Sequence, residues 1–241
     1  MKKGIERLNM MQKKYGFTLA EVLITLGIIG VVAAITIPML IANYQKKQTV
    51  TKLQKAISVI NQAYRLAYDD VGEATAEEAR AMGGEEYFQK YWEPYIKVTS
   101  ICNEIGCGYK KNSYGYSGQP WKMPSGNTYS LQLQTDYSRV GFNTLDGYFF
   151  IVVTVVGGTT LTTSDILVVD INGINKPNIL GKDVFVLKRK VDSEKGGVVV
   201  PACSSSSKSD IDKDCSKTGI GDCCAEKIRR AGWTIDKSYP W

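Results

Sequence analysis

Residues 13–47 read KKYGFTLAEVLITLGIIGVVAAITIPMLIANYQKK. From Val22 to Ala42 there is no charge, and one carboxylate, Glu21, stands immediately before that stretch. As a helix it would cover about 30 Å, the thickness of bilayer hydrocarbon. Lys2, Lys3, Arg7, Lys13 and Lys14 precede it against Glu6, and Lys46 and Lys47 follow. Most of the net charge of +6 therefore sits in the first sixteen residues, and the remainder is nearly balanced. That distribution reads as a positive-inside topology signal rather than a nucleic-acid face. Two alternatives are a secretory signal and a buried core helix. The run is too long for the first and ends without an Ala-x-Ala cleavage pattern; the basic leader argues against the second.

The helical pattern continues past the apolar run. Val50, Leu53, Ile57, Ile60, Tyr64, Ala67 and Val71 recur at spacings of three and four, which makes an apolar stripe on one face. Such a stripe serves either a folded domain or a coiled coil. Gly72 ends it. From Phe17 to Val71 the helix would measure about 80 Å. Pro38 removes the partner of the Ala34 carbonyl, so residues 30–38 are the expected place for a kink or local unwinding sheltered by neighbouring helices. A membrane-helix proline without such a role is the plainer alternative.

Beyond Gly72 the composition turns globular. Residues 73–97 read as one or two short helices broken at Gly83-Gly84, and residues 100–127 as a Gly/Ser/Asn/Tyr-rich loop. Strands are expected at 129–137, 148–156, 159–171, 184–191 and 198–203, with Gly157-Gly158 as a hairpin turn. The fold class is α+β. A long N-terminal helix, half transmembrane and half amphipathic, packs on a C-terminal antiparallel sheet whose other face is partly wet. The expected division is a leader at 1–16, a helix at 17–71 that spans the membrane over 17–42, and a head at 72–241 with its sheet about 129–203. The polar run 204–214 reads as a mobile or crosslinked loop, residues 223–233 as a short helix, and the aromatic tail as packed down.

All six cysteines, Cys102, Cys107, Cys203, Cys215, Cys223 and Cys224, follow the apolar run. This fits an exported head with disulfides better than a zinc or iron–sulfur site, since no Cys-x-x-Cys pair repeats and histidine is absent. Cys102–Cys107 is the expected local pair. The others tie the C-terminal tail to itself or to the sheet, and adjacent Cys223 and Cys224 need different partners. Without histidine, and without a GxSxG, P-loop, HExxH or dinucleotide fingerprint, an enzyme is disfavoured.

Glu21 needs a reason. Removal of the leader between Gly16 and Phe17 would leave an ammonium at the helix tip, one turn from Glu21. In low dielectric the two attract strongly, while either alone is costly. Facing the amine of an adjacent copy, Glu21 would fix axial register. The alternative is a carboxylate at the interface beside the leader lysines with no specific role.

Gly16, Phe17, Thr18, Leu19 and Glu21, followed by the apolar helix with Pro38, resemble the N-terminus of type IV pilins and type II secretion pseudopilins. The resemblance is strong over about residues 13–45. It implies a prepilin peptidase that cuts after Gly16 and methylates the amine of Phe17. It implies an assembly role for Glu21 and Pro38, and storage in the inner membrane as a single-pass protein with the head outside the cytoplasm. Partners would be copies of itself, other pilin-like subunits, an inner-membrane assembly platform and the lipid bilayer, in a pilus or periplasmic pseudopilus. No cofactor is implied beyond calcium, which major pseudopilins bind. Asp170, Asn172 and Asp183 are the candidate metal ligands here, against an Asx-rich turn. A second reading is a minor pilin whose head binds DNA or a surface ligand through the basic aromatic stretch 108–122, against an ordinary surface loop.

Overall fold

The computed structural model describes residues 16–72, 76–102, 121–129, 139–153, 166–192 and 196–241. They fall into two units, one ending at Tyr44 and one starting at Gln45. Helix α1, Leu19–Val71, belongs to both.

In the first unit the helix is long and apolar enough to cross a membrane, and its apolar side chains are exposed. Its polar side chains turn back onto the backbone. Thr25 Oγ1 donates to the Glu21 carbonyl at 2.9 Å and Thr36 Oγ1 to the Val32 carbonyl at 2.9 Å, so neither hydroxyl depends on water for a partner. The helix runs unbroken through Pro38. The expected unwinding is absent, because proline deletes one helical hydrogen bond and leaves the bonds on either side in place.

In the second unit, α1 buries Thr49, Val50, Leu53, Ala56, Ile60, Ala63, Tyr64 and Ala67. This is the expected stripe rotated slightly. Ile57 lies at its edge and Val71 is exposed, while the small side chains of Ala56 and Ala63 allow close approach. The helix closes at Gly72, whose N–H reaches the Tyr68 carbonyl at 3.1 Å. Helix α2, Ala76–Tyr91, bends at Gly83, where φ is 76°, a left-handed conformation that glycine adopts without strain. Phe88, Tyr91 and Trp92 from this region join the core.

Six strands follow: β1 Val98–Cys102, β2 Arg139–Thr144, β3 Phe149–Val153, β4 Ile166–Asp170, β5 Val184–Asp192 and β6 Gly196–Pro201. They form one sheet in sequence order, every neighbour antiparallel. β1 stands where a loop was expected, and β2 follows the expected strand 129–137, of which residues 130–137 lie outside the described residues, as does the Gly157-Gly158 turn. The register aligns Phe142, Phe150, Val169 and Phe185 in one row on the face that meets α1 and α2. The opposite face is not wet at its centre. Phe149, Ile151, Val168, Val184 and Val186 are buried there beneath Trp121 and Leu180. The segment 204–214 is likewise not a loop throughout: α3, Lys208–Asp214, starts at Ser207, whose Oγ accepts the Asp210 N–H at 3.2 Å. The final helix, α4, is Cys224–Arg230.

Strand β6 is a sheet edge, and α1 closes part of it. Asn61 Nδ2 donates to the Val199 carbonyl at 2.8 Å, and the Val199 N–H donates to Asn61 Oδ1 at 2.7 Å. Tyr64 Oη accepts the Gly197 N–H at 3.2 Å. A Cβ at Gly197 would lie 2.7 Å from that hydroxyl oxygen, so this approach requires glycine. The edge is thus paired to a helix and withheld from foreign strands. Asn61→Ala leaves the N–H and C=O of Val199 without their partner. We expect a loss of about 2 kcal/mol in denaturant unfolding of the full chain in neutral detergent, and a loss within error of zero would contradict this account of the edge.

Candidate functional site

The N-terminal turn is built by Thr18 and Glu21. The Thr18 N–H donates to Glu21 Oε2 at 2.8 Å, Thr18 Oγ1 donates to the same oxygen at 2.8 Å, and the Glu21 N–H donates back to Thr18 Oγ1 at 3.2 Å. These reciprocal bonds make a capping box, in which a threonine and a glutamate three residues on satisfy each other's backbone donors. The carboxylate also lies at the positive end of the helix dipole. Both threonine bonds fall on Oε2, leaving Oε1 without a partner among the described residues. Gly16 and Phe17 precede the helix, and the Phe17 side chain is 88% exposed. Residues 1–15 of the expected leader lie outside the described residues. The pattern Thr-x-x-Glu before an apolar run was the signal for this box.

The three candidate metal ligands meet in the turn after β4. Asp183 Oδ1 accepts the Ile179 N–H at 2.7 Å, and its Oδ2 accepts the Asn178 N–H at 2.7 Å and Asn172 Nδ2 at 3.2 Å. Burial raises the Asp183 pKa, opposed by those donors. Asp170 Oδ2 accepts Trp121 Nε1 at 3.1 Å, and its Oδ1 accepts the Asn172 N–H at 3.2 Å. With its amide turned to donate, Asn178 also reaches Asp170 Oδ2, at 3.1 Å. Asn172 Oδ1 alone among these oxygens has no hydrogen-bond partner. Both carboxylates are engaged by protein donors, as in an Asx-rich turn, and no group of three or more Cys, Asp or Glu among the described residues could hold a metal ion. Trp121, the aromatic end of the basic stretch, is a core residue edge-on to Phe149. Residues 108–120 lie outside the described residues.

Two disulfides fasten the C-terminus. Cys203 pairs with Cys223 and Cys215 with Cys224, so the adjacent cysteines take different partners. Cys102 is also disulfide-bonded, and Cys107, its expected partner, lies outside the described residues. Glu226, fully buried, reinforces the staple. It accepts Arg229 Nε and Nη2 and Arg230 Nε, each at 2.7 Å, and Arg230 Nη2 continues to the Ser206 carbonyl at 2.9 Å. Tyr239 Oη donates to the Gly181 carbonyl at 2.6 Å, which draws the aromatic tail onto the head.

Residues 11–37 match the prokaryotic N-terminal methylation motif. Residues 39–119 match a family of unknown function (DUF6613). No curated protein and no solved structure matches the chain.

The Glu226 staple is pH-dependent. Burial raises its pKa, but the bonds from Arg229 and Arg230 outweigh that and hold it below the ordinary 4.5. Its contribution is therefore present above the unfolded value and lost as pH falls through the folded one. Glu226→Gln is expected to cost about 2 kcal/mol at neutral pH, after screening of the half-exposed arginines, and progressively less as the pH falls below the ordinary 4.5. Denaturant unfolding of the full chain over a falling pH series checks this; a cost that does not decline with pH would contradict it.

Proposed function

We propose that this chain, with its methylation motif over residues 11–37, long N-terminal helix and antiparallel head, is a structural subunit of a type IV pilus or type II secretion pseudopilus. Prepilin peptidase removes residues 1–16 and methylates the new amine of Phe17. The helix then anchors the subunit in the inner membrane with the head outside the cytoplasm. On extraction by the assembly platform it packs among the helices of other pilin-like subunits. Burial of the exposed apolar side chains of α1 supplies the driving force, at about 25 cal/mol per Å² before ordering costs.

The observation that carries this reading is the division of labour on the Glu21 carboxylate. Oε2 holds the subunit's own first turn, and Oε1 has no partner among the described residues. A carboxylate has about four acceptor sites, so the free oxygen can receive a neighbouring subunit's amine without breaking the cap. The single anchored subunit thus keeps its charge partly satisfied, and the polymer completes it. A mispaired neighbour leaves the amine and Oε1 unmatched in low dielectric, which selects the register. No observation on the described residues favours DNA or surface-ligand binding by the head.

Two substitutions separate cap from charge. Glu21→Gln keeps a capping box, because glutamine can fill that position, but removes the charge. Glu21→Ala removes both. If the charge sets register, both variants insert into membranes at wild-type level and both lose filaments, by at least about tenfold. Sheared filament yield beside membrane-fraction amount is the measurement. Wild-type yield from Glu21→Gln would assign the residue to helix capping alone.

A further inference from the structure

The head carries a cationic cleft at the start of its helix. About 280 Å³ in volume, it is walled on one side by Gln45, Gln48, Thr49 and Lys52, one turn after another on α1. Lys176, Lys182 and Trp241 close it from the opposite side. Lys46 extends the same charge, with its Nζ 6.0 Å from the centre of the Trp241 ring. Lys52, Lys176 and Lys182 have no carboxylate within ion-pair distance among the described residues. The acidic side chain in the wall is Asp183, and its oxygens are taken up by N–H donors from Asn172, Asn178 and Ile179. Three lysines without an ion-pair partner among the described residues therefore line a small polar space whose acidic side chain, Asp183, is already held by N–H donors.

Its place in the chain says which anion it meets. Gln45 follows Ala42, the end of the apolar run, by three residues and Thr49 by seven, on one unbroken helix. At 1.5 Å per residue these positions lie about 5 to 11 Å beyond the apolar run, the depth of a lipid headgroup layer. A partly exposed tryptophan beside lysines suits that layer too. The volume fits a single headgroup and is too small for a folded partner.

We propose that this cleft binds the phosphodiester headgroup of an anionic phospholipid. Lys52, Lys176 and Lys182 neutralise the phosphate, and the amides of Gln45 and Gln48 are placed to donate to its oxygens or to the glycerol. The site would seat the head against the membrane before assembly, and extraction into a filament would have to release the lipid. The proposal rests on the membrane-anchored part of the function proposed above. That part is scored separately, by recovery of the chain with the membrane fraction.

The test uses the full chain in lipid nanodiscs of phosphatidylcholine alone or with added phosphatidylglycerol, with retained lipid counted by native mass spectrometry. The wild type should retain one phosphatidylglycerol and no preferred phosphatidylcholine. The triple variant Lys52→Gln, Lys176→Gln, Lys182→Gln should retain at least about tenfold less. The same three sites changed to Arg should keep the lipid, which guards against a variant that merely unfolds. Lys188→Gln, Lys208→Gln, Lys217→Gln makes the same change of charge at exposed positions outside the cleft and should behave as wild type. Equal loss in both glutamine variants would reduce the effect to general surface charge. Retention of inorganic phosphate without preference between the two lipids would assign the cleft to a free anion. Unchanged lipid retention with loss of crosslinking to a second copy would assign it to a subunit contact. Each of these three results overturns the proposal.

Discussion

One carboxylate at the threshold of an uncharged helix is the constraint from which the rest follows. In hydrocarbon an unpaired charge costs several kcal/mol or more, so Glu21 must be satisfied at every stage of the protein's life. Thr18 answers that demand locally, with two bonds to one oxygen. The other oxygen has no partner among the described residues. A residue satisfied by half suits the proposed subunit, which would be tolerable alone in a membrane and better off among its copies.

The second half of the same helix does a different task. Its small residues, Ala56 and Ala63, let the sheet come close, and Asn61 and Tyr64 complete the hydrogen bonding of edge strand β6. The sheet is buried on both faces at its centre, by α1 and α2 on one side and by the segment carrying Trp121 on the other. Two disulfides and the buried Glu226 with its arginines then fix the chain after the last strand. Helix α1 thus carries exposed apolar side chains up to Tyr44 and a buried stripe from Thr49, and its residues Gln45, Gln48, Thr49 and Lys52 line the cleft.

Much of this was legible in residue order. The uncharged run, the stripe, the break at Gly83 and strands β3 to β6 each leave a local periodic or compositional mark. β1 does not, because VTSIC is short and its middle is polar and exposed. β2 carries Gly141 at its centre, which breaks the alternating pattern. Helix α3 reads as a loop by composition; it forms with a Ser207 cap and crosslinks at Cys203 and Cys215 around it. Burial of the far sheet face depends on Trp121 packing across a long sequence separation, which no local pattern encodes. At the site the reverse holds. The Thr18–Glu21 box was written in the spacing, but an apolar run so long draws attention to the membrane and away from the cap. The oxygens of Asp170 and Asp183 looked available for a cation until their N–H donors came into view.

The most direct test of the central claim is the intact mass of the protein recovered from its native membranes and from sheared fibres. An amine placed one turn from Glu21 exists only if the chain begins at Phe17. The account predicts a mass for residues 17–241, corrected for the disulfide hydrogens and increased by one methyl group, in both fractions. A mass that still includes the first sixteen residues, from protein found as single anchored molecules and never in fibres, would contradict it.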